Sequence, residues 1–306
     1  MKISVIGAGN VGSLAAMRLA QDGLGEIFLV DIVKGLAKGK SLDLEDARSI
    51  LKLNYQIQGS EDINDIKGSD IIVITAGLAR KPGMTREELL LKNSEILKSI
   101  SSKIKESAPK AIVIVVTNPL DLMTYFVLKS TGFPANRVLG MGLSLDASRF
   151  ANLIAAELKI PVTDIDACVI GSHGEGMLPL PAFTRIKGVP LDEVVDEKKV
   201  AYLIERTVKR GAEIVSFLGN GSAFFAPSAA ISSLVKAIVK NEKKTIGVCA
   251  YLNGEYGIKG VCIGLPCRIG NEGIEEIIEL KLSREELLGL KNSTELLRKL
   301  TAQLPL

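Results

Sequence analysis

The chain of 306 residues contains four cysteines, one histidine and no tryptophan. The cysteines show no CxxC spacing and have no companion histidines, which argues against a zinc site. We therefore expect no metal centre, and we expect free thiols in a reducing compartment. These cysteines are Cys168, Cys249, Cys262 and Cys267.

The chain also lacks an excess of either charge and lacks a long apolar run. Its 38 Lys and Arg residues against 35 Asp and Glu residues give a formal net charge of +3, which excludes a broad cationic field for nucleic acid or anionic membranes. The longest apolar runs, such as residues 111–116, are far shorter than the ~20 residues that span a bilayer. Glycines and Asn10 interrupt the apolar start, which makes it a poor secretion signal. The sequence predicts a cytoplasmic protein without nucleic-acid or membrane partners.

The single histidine, His173, lies in a glycine-rich segment, residues 169–176. Its side chain is the only one here whose ordinary pKa suits proton transfer near neutral pH. Acid–base chemistry therefore has one obvious candidate. A histidine in a glycine-rich turn can also be structural, so the other motifs must decide between the two interpretations.

Short apolar runs alternate with amphipathic stretches in the first half of the chain. Runs rich in Ile and Val predict strands at residues 2–6, 27–31, 71–75 and 111–117, and residues 10–21 predict a helix. Such runs, with helical patterns between them, are typical of a parallel sheet that is covered on both faces. We therefore predict a doubly wound α/β (Rossmann) domain over residues 1–143.

The pattern changes after about residue 145. Helices are predicted over residues 145–158, 195–218 and 228–240, with a final helix starting at Ser283. Strands are predicted over residues 165–171, 180–186, 245–252 and 260–266. This mixture predicts an α+β domain over residues 144–306, and the lack of a low-complexity linker predicts an interface between the two halves.

The first predicted strand runs directly into the glycine motif Gly7-Ala8-Gly9-Asn10-Val11-Gly12. In a GxGxxG motif the first glycine permits a tight turn, the second lets a pyrophosphate approach the backbone, and the third lets helix and strand pack. Asp31, at the end of the next strand, can accept hydrogen bonds from a ribose diol and would repel a 2′-phosphate. Together these features predict NAD binding in preference to NADP. An FAD- or S-adenosylmethionine-binding protein could share this half of the pattern.

Thr117-Asn118-Pro119 closes another apolar strand. Asn118 is therefore expected at the carboxyl edge of the parallel sheet, where doubly wound folds bind ligands. An asparagine before a proline is also a common turn residue, and the motif alone does not separate the two interpretations.

Residues 77–86 follow a strand and predict a loop over the same edge, carrying Arg80 and Arg86. Thr85 and Glu88 predict a capping box for the next helix. Arg86 then lies in the first helical turn, where a cation is disfavoured. Because Arg284 occupies the same position in a helix that no loop motif precedes, the position alone proves little.

Asp146 and Arg149 open the helix of the second half and are three residues apart, so they share one helical face. They could form an ordinary surface ion pair. Alternatively, Arg149 could hold a substrate carboxylate in a bidentate fork while Asp146 orients a nearby base.

The order of these motifs resembles the malate-specific class of the lactate/malate dehydrogenase family, from Lys2 to the last helix. The resemblance implies that His173 is the proton donor and acceptor, with Asp146 as its partner. It implies that Arg149 binds the carboxylate next to the reacting carbon and that Arg86 polarises the carbonyl. It also implies that Asn118 contacts both substrate and cofactor.

The resemblance further implies an NAD site and a dicarboxylate substrate. Arg80 occupies the specificity position, where an arginine reads a second carboxylate and lactate dehydrogenases carry glutamine. Ala223 lies where lactate enzymes have threonine, which favours the bulkier substrate. The implied cofactor contacts are Gly7, Ala8, Gly9, Asn10, Val11, Gly12, Asp31, Asn93, Val116, Thr117 and Asn118.

Two segments depart from the family pattern. The family usually has Glu-His-Gly-Asp around its histidine, whereas Ser172 and Glu175 occupy the flanking positions here. Its active helix more often reads Asp-Ser-Ala-Arg, whereas Ala147 and Ser148 lie between Asp146 and Arg149 here. Neither departure removes a catalytic group.

The resemblance predicts reversible hydride transfer between NADH and oxaloacetate, giving L-malate, in a tricarboxylic acid cycle enzyme that is a homotetramer or dimer. The alternatives are an L-lactate or other 2-hydroxyacid dehydrogenase, and a catalytically inactive NAD-binding scaffold.

Overall fold

The computed structural model describes residues 1–78, 85–219 and 221–306, with the backbone but not the side chain of Arg86. Strands and helices alternate in the first half. The strands are β1 (Lys2–Ile6), β2 (Glu26–Val30), β3 (Ile57–Ser60), β4 (Ile71–Ile74), β5 (Ile112–Val115) and β6 (Val138–Gly140). The helices are α1 (Asn10–Gln21), α2 (Leu36–Leu51), α3 (Arg86–Ser107) and α4 (Leu120–Thr131).

These strands form a parallel sheet in the order β3-β2-β1-β4-β5-β6. Along β4, Ile71 and Val73 pack into one core, whereas Ile72 and Ile74 pack into the core on the opposite face. Both faces of the strand are buried, so apolar side chains are needed at successive positions. This requirement explains the uninterrupted Ile and Val runs in the sequence. The predicted doubly wound α/β fold is confirmed.

The second half mixes helices with antiparallel strands. Its helices are α5 (Leu143–Leu158), α6 (Leu191–Val194), α7 (Glu197–Leu218), α8 (Phe225–Val239) and α9 (Arg284–Thr301). Its strands are β7 (Ile165–Asp166), β8 (Val169–Gly171), β9 (Met177–Pro179), β10 (Arg185–Ile186), β11 (Val189–Pro190), β12 (Lys244–Asn253), β13 (Lys259–Gly270) and β14 (Gly273–Ile277). No helix within the described ranges has the length and apolar character to cross a membrane.

The sheet of the first half continues into the second. β12 pairs antiparallel with β6 through Cys249 and Gly140, and β13, β8 and β9 extend the same sheet. The α+β character is as predicted. The boundary between residues 143 and 144 falls in the first turn of α5 and stays a prediction.

Three predicted elements of the second half differ from the structure. The strand predicted over residues 165–171 is wrong as one strand, because β7 and β8 pair in different sheets. The strand predicted over residues 180–186 is wrong, because a 3₁₀ turn begins at Pro181 and only Arg185 and Ile186 pair as a strand. Proline has no N–H to donate to a ladder, so its presence disfavours a continuous strand. The helix predicted over residues 228–240 begins earlier, at Phe225, since proline is tolerated in a first helical turn.

Candidate active site

The glycine motif forms the turn between β1 and α1. Gly7 has a φ of +105°, which side chains other than glycine rarely adopt. A Cβ on Gly12 would lie 1.8 Å from the carbonyl oxygen of Gly7, so the helix can pack here only without a side chain. A Cβ on Gly9, in contrast, would meet open space. The helix N-terminus and the open space beside Gly9 fit a pyrophosphate, whose charge the helix dipole favours.

Asp31 lies beside this turn, just beyond the end of β2. One carboxylate oxygen accepts a hydrogen bond from the Ala8 backbone N–H at 2.6 Å, and the other accepts from Val33 at 2.9 Å. Each oxygen keeps a further acceptor position for a ribose hydroxyl. The arrangement fits the predicted role of Asp31 and adds a second one, since the same carboxylate holds the glycine turn.

Lys40 contacts the glycine turn, and the sequence motifs did not indicate it. From α2, its ammonium group donates hydrogen bonds to the Ala8 carbonyl at 2.7 Å and to Ser13 Oγ at 3.0 Å. Ala8 and Lys40 are separated by 32 residues, so only the packing of α2 brings them together. The contact places a cation against the backbone of the glycine turn.

Lys40→Met is expected to weaken NADH binding about tenfold, because hydrogen bonds from a charged donor to the turn would be lost. Fluorescence titration with NADH measures the dissociation constant. Lys38→Met is the matched control, because Lys38 is exposed on the same helix and its loss changes the net charge equally. If both substitutions weaken NADH binding equally, Lys40 contributes only through its long-range charge and not through its hydrogen bonds.

Two threonines at strand ends brace the loops around the cleft. Thr75 Oγ1 donates to the Gly7 carbonyl at 3.0 Å, and Thr117 Oγ1 donates to the Ala76 carbonyl at 2.6 Å. Asn118 follows in a cis peptide with Pro119, and its side chain accepts from the Leu120 N–H at 3.2 Å. The carboxyl ends of β1, β4 and β5 therefore meet at one edge, as the sequence predicts.

Asn93 is fully buried on α3, beneath the loops. Its side-chain oxygen accepts from the Leu78 N–H at 2.8 Å, and its amide donates to the Asn118 carbonyl at 2.7 Å. The structure gives Asn93 the role of holding two loops together. Direct contact between Asn93 and the cofactor stays a prediction.

His173, Asp146 and Arg149 meet at the junction of the two halves. His173 Nδ1 lies 2.7 Å from one oxygen of Asp146, and Arg149 Nη1 lies 3.1 Å from the other. Asp146 is fully buried, whereas the His173 side chain is 16% exposed. Because the Asp146 carboxylate can only accept, Nδ1–H donates the hydrogen bond to it, and His173 Nε2 is left to exchange a proton with a ligand.

The surroundings of His173 favour its protonated form. Burial, the largest single influence, lowers the pKa of His173, whereas the Asp146 carboxylate raises it by its charge and by its hydrogen bond. Asp121 also raises the pKa, and Arg149 lowers it. The net result is a pKa above the ordinary value of 6.5. Near neutral pH this histidine is therefore poised to donate a proton.

Arg149 has an unused donor beside the histidine. Its side chain is 12% exposed, and its Nε atom is buried without a hydrogen-bond partner among the described residues. α7 passes close by at Gly211, where a Cβ would lie 3.4 Å from Arg149 Nη1. A buried unpaired donor is costly, and the chemistry of a guanidinium matches a carboxylate. The arrangement fits binding of an acidic substrate.

The predicted loop carries two arginines, Arg80 and Arg86. Arg80 lies outside the described residues, as does the side chain of Arg86. The backbone places Arg86 at the first residue of α3, after the predicted capping box. Thr85 Oγ1 accepts from the Glu88 N–H at 3.1 Å, and Glu88 accepts from the Thr85 N–H at 2.9 Å. The roles of Arg80 and Arg86 stay predictions.

A second carboxylate, that of Asp121, contacts the backbone of His173, and no sequence motif indicated it. Asp121 Oδ2 accepts a hydrogen bond from the His173 backbone N–H at 2.9 Å. The two residues are separated by 52 positions in the chain. No local motif marks such a contact, which depends on α4 and the histidine loop meeting in three dimensions.

One open cleft extends from the glycine turn to His173. Gly9, Asn10, Val11 and Gly12 line it at the glycine turn. Val116, Thr117, Asn118, His173 and Ala223 line it at the junction of the halves. The cleft is thus continuous from the predicted pyrophosphate position to the histidine, as a dinucleotide beside a small substrate requires.

Comparison with known proteins identifies the family. Residues 1–140 match the NAD binding domain of lactate/malate dehydrogenase, and residues 144–304 match the alpha/beta C-terminal domain of the same family. A malate dehydrogenase of Methanosarcina barkeri is 50% identical over 303 residues, covering 99% of each chain.

Solved structures of the family superpose along the whole chain. An apo malate dehydrogenase from Picrophilus torridus has a TM-score of 0.95 at 41% identity, covering 98% of this chain and 96% of its own. A lactate dehydrogenase from Cryptosporidium parvum, complexed with lactic acid and NAD, also has a TM-score of 0.95, at 35% identity and with 99% and 97% coverage. The chain belongs to the lactate/malate dehydrogenase family.

Proposed function

We propose that this protein is an NAD-dependent malate dehydrogenase, which transfers hydride reversibly between NADH and oxaloacetate to give L-malate. The observation that carries the proposal is the cluster of His173, Asp146 and Arg149, in which His173 lines the cleft that begins at the glycine turn. A proton donor and a carboxylate-binding cation lie side by side there, as reduction of a 2-keto acid needs. The malate dehydrogenases at 44–50% identity support the substrate.

The residues of the cluster divide the chemistry between them. When bound, the reduced nicotinamide supplies the hydride. Arg149 holds the carboxylate beside the reacting carbonyl, and protonated His173 gives its Nε2 proton to the carbonyl oxygen as negative charge develops there. Asp146 keeps the ring in one orientation and stabilises the imidazolium form. Oxidation of malate uses the reverse proton transfer and therefore needs neutral His173.

The residues that contact the second carboxylate of the substrate determine whether the enzyme prefers malate or lactate. The likeness to a lactate dehydrogenase at a TM-score of 0.95 means that the fold alone does not separate these substrates. Arg80, by its position in the sequence, provides a cation for a second carboxylate. Ala223 lines the cleft with a small side chain, which leaves room for the longer substrate.

Steady-state assays of the purified protein with oxaloacetate and pyruvate, each with NADH and with NADPH, test the proposal. We expect the highest kcat/KM for oxaloacetate with NADH, because Arg80 pairs with the second carboxylate and Asp31 repels a 2′-phosphate. A preference for pyruvate would support a lactate dehydrogenase. NADH binding without turnover of any 2-keto acid would support an inactive scaffold.

We also propose that the protein is a homo-oligomer, a tetramer or a dimer. Large apolar side chains are exposed on α7 and at the start of α8, and Phe217 is 83% exposed. Burial of these side chains between subunits would remove apolar surface from water. The others are Tyr202, Val215, Leu218 and Phe225. Light scattering at assay concentration distinguishes a monomer from either oligomer.

A cytoplasmic location and a role in the tricarboxylic acid cycle complete the proposal. The four cysteines are free, which supports a reducing compartment. Interconversion of L-malate and oxaloacetate is the reaction that would link the protein to the cycle.

A further inference from the structure

We propose that Asp121 is a positioning residue for the His173–Asp146 pair: its buried carboxylate holds the backbone of the histidine loop and places a second negative charge behind the imidazole. The inference rests on the proposed function only for its effect on catalysis. The effect on His173 itself can be measured without substrate.

Asp121 lies in the first turn of α4, and only 5% of its surface is exposed. Its Oδ2 atom accepts the His173 backbone N–H at 2.9 Å, while Asp146 approaches the ring nitrogen Nδ1 at 2.7 Å. Asp121 therefore holds the histidine through its main chain and Asp146 holds it through its side chain. The two carboxylates come from different helices, α4 and α5.

A backbone N–H does not need a carboxylate as its acceptor. Elsewhere in this chain, neutral side chains accept hydrogen bonds from backbone N–H groups. Thr184 Oγ1 accepts from the Cys168 N–H at 3.0 Å, and Asn93 Oδ1 accepts from the Leu78 N–H at 2.8 Å. Burying a carboxylate costs more than burying either of these groups. The charge of Asp121 therefore needs a reason beyond the hydrogen bond.

The cost of this charge is visible at Asp121 itself. Its Oδ1 atom is buried and accepts no hydrogen bond from an N–H or O–H group within the described part of the chain, and the nearby donor is the Cys249 thiol. Burial raises the pKa of Asp121 to about 6, although the nearby Cys249 thiol and His173 lower it. The carboxyl group therefore remains largely ionised at pH 7 and above, at a site that opposes ionisation.

The balance of charges around His173 supplies the reason. From α5, a single carboxylate, Asp146, is shared between two cations, Arg149 and protonated His173. From α4, Asp121 provides the second negative charge, so that two carboxylates balance two cations. The group facing Asp121 from β12 is the thiol of Cys249, with Cys262 of β13 beyond it, and burial keeps the pKa of the Cys249 thiol high. Asp121 offsets the repulsion between Arg149 and the imidazolium.

NMR titration of the histidine ring tests the inference directly, because the sole histidine gives one set of ring signals. In Asp121→Asn the side-chain oxygen can still accept the His173 N–H, but the negative charge is gone. We expect the titration midpoint of His173 to fall by about 0.5–1 pH units. At a pH above that midpoint, kcat/KM for oxaloacetate should then fall about three- to tenfold.

Thr124→Val is the matched control. Thr124 is fully buried on the same helix and donates to the Leu120 carbonyl at 2.8 Å, so its replacement disturbs packing without removing charge. Its His173 midpoint should equal that of the unmodified protein. An unchanged midpoint in Asp121→Asn, or equal shifts in both variants, would assign Asp121 a purely structural role.

The unmodified protein offers a second measurement that does not depend on a variant folding. The His173 backbone amide donates to Asp121, so its chemical shift should respond to protonation of that carboxyl group. We expect an inflection near pH 6, separate from the midpoint of the ring. An amide that follows only the ring would overturn the inference. Because neither titration uses substrate, failure of the proposed function would leave both results interpretable.

Discussion

His173→Asn is expected to lower kcat for oxaloacetate reduction by about 10²- to 10⁴-fold, the usual contribution of a positioned general acid. Asparagine retains a polar side chain of comparable reach but cannot release a proton near neutral pH. The glycine turn lies at the opposite end of the cleft from the substituted ring, so the dissociation constant of NADH should change little. Steady-state kinetics and NADH fluorescence titration give the two quantities.

Asp146→Asn provides the graded comparison. The amide can still contact His173 Nδ1 and Arg149, but it does not stabilise the imidazolium by charge. We expect it to reduce kcat and to lower the pH at which oxaloacetate reduction falls. Substantial activity in His173→Asn would remove the histidine from the mechanism, whatever the result for Asp146→Asn.

Arg80→Gln is expected to change the oxaloacetate/pyruvate ratio of kcat/KM by roughly 10³-fold in favour of pyruvate. A site built around a charged partner rejects a substrate that leaves its polar groups unpaired, and glutamine removes the cation. The measurement is the same pair of assays on the variant and on the unmodified protein. The prediction comes from the sequence position of Arg80, which lies outside the described residues.

Arg80→Lys separates charge from geometry in this test. Lysine keeps the charge but lacks the planar fork that binds a carboxylate with two parallel hydrogen bonds. An intermediate ratio is expected, closer to the unmodified protein than to Arg80→Gln. If the ratio is the same in all three proteins, Arg80 does not read the second carboxylate.

Local patterns in the sequence were sufficient to predict the cofactor loop. β1 and α1 have the bounds that the sequence predicts, because the alternation of apolar residues and the glycines act over a few positions. Gly7 and Gly12 are required by backbone conformation and by close packing, which are local effects. Asp146 and Arg149 likewise share a helical face by their spacing alone.

The parts of the site that depend on packing between distant elements were not predicted. Asp121 and Lys40 act on residues 52 and 32 positions away, and the sequence around neither residue indicates its distant partner. Asn93 is fully buried beneath the loops. This was not predicted, because its position in the sequence does not indicate how deeply the side chain is buried. The departures at Ser172 and Glu175 are compatible with an intact histidine–carboxylate pair.

The central claim is that a carboxylate-paired His173 is the acid–base group, and its titration in the free enzyme tests this claim most directly. The ring midpoint from NMR is compared with the midpoint of kcat/KM for malate oxidation, which reports groups of the free enzyme. Since the pKa of His173 is raised, protonated His173 persists above pH 6.5, and malate oxidation should increase with pH through that midpoint. We predict that the two midpoints coincide and lie above 6.5. A ring midpoint at or below 6.5, or one that differs from the kinetic midpoint, would contradict the account.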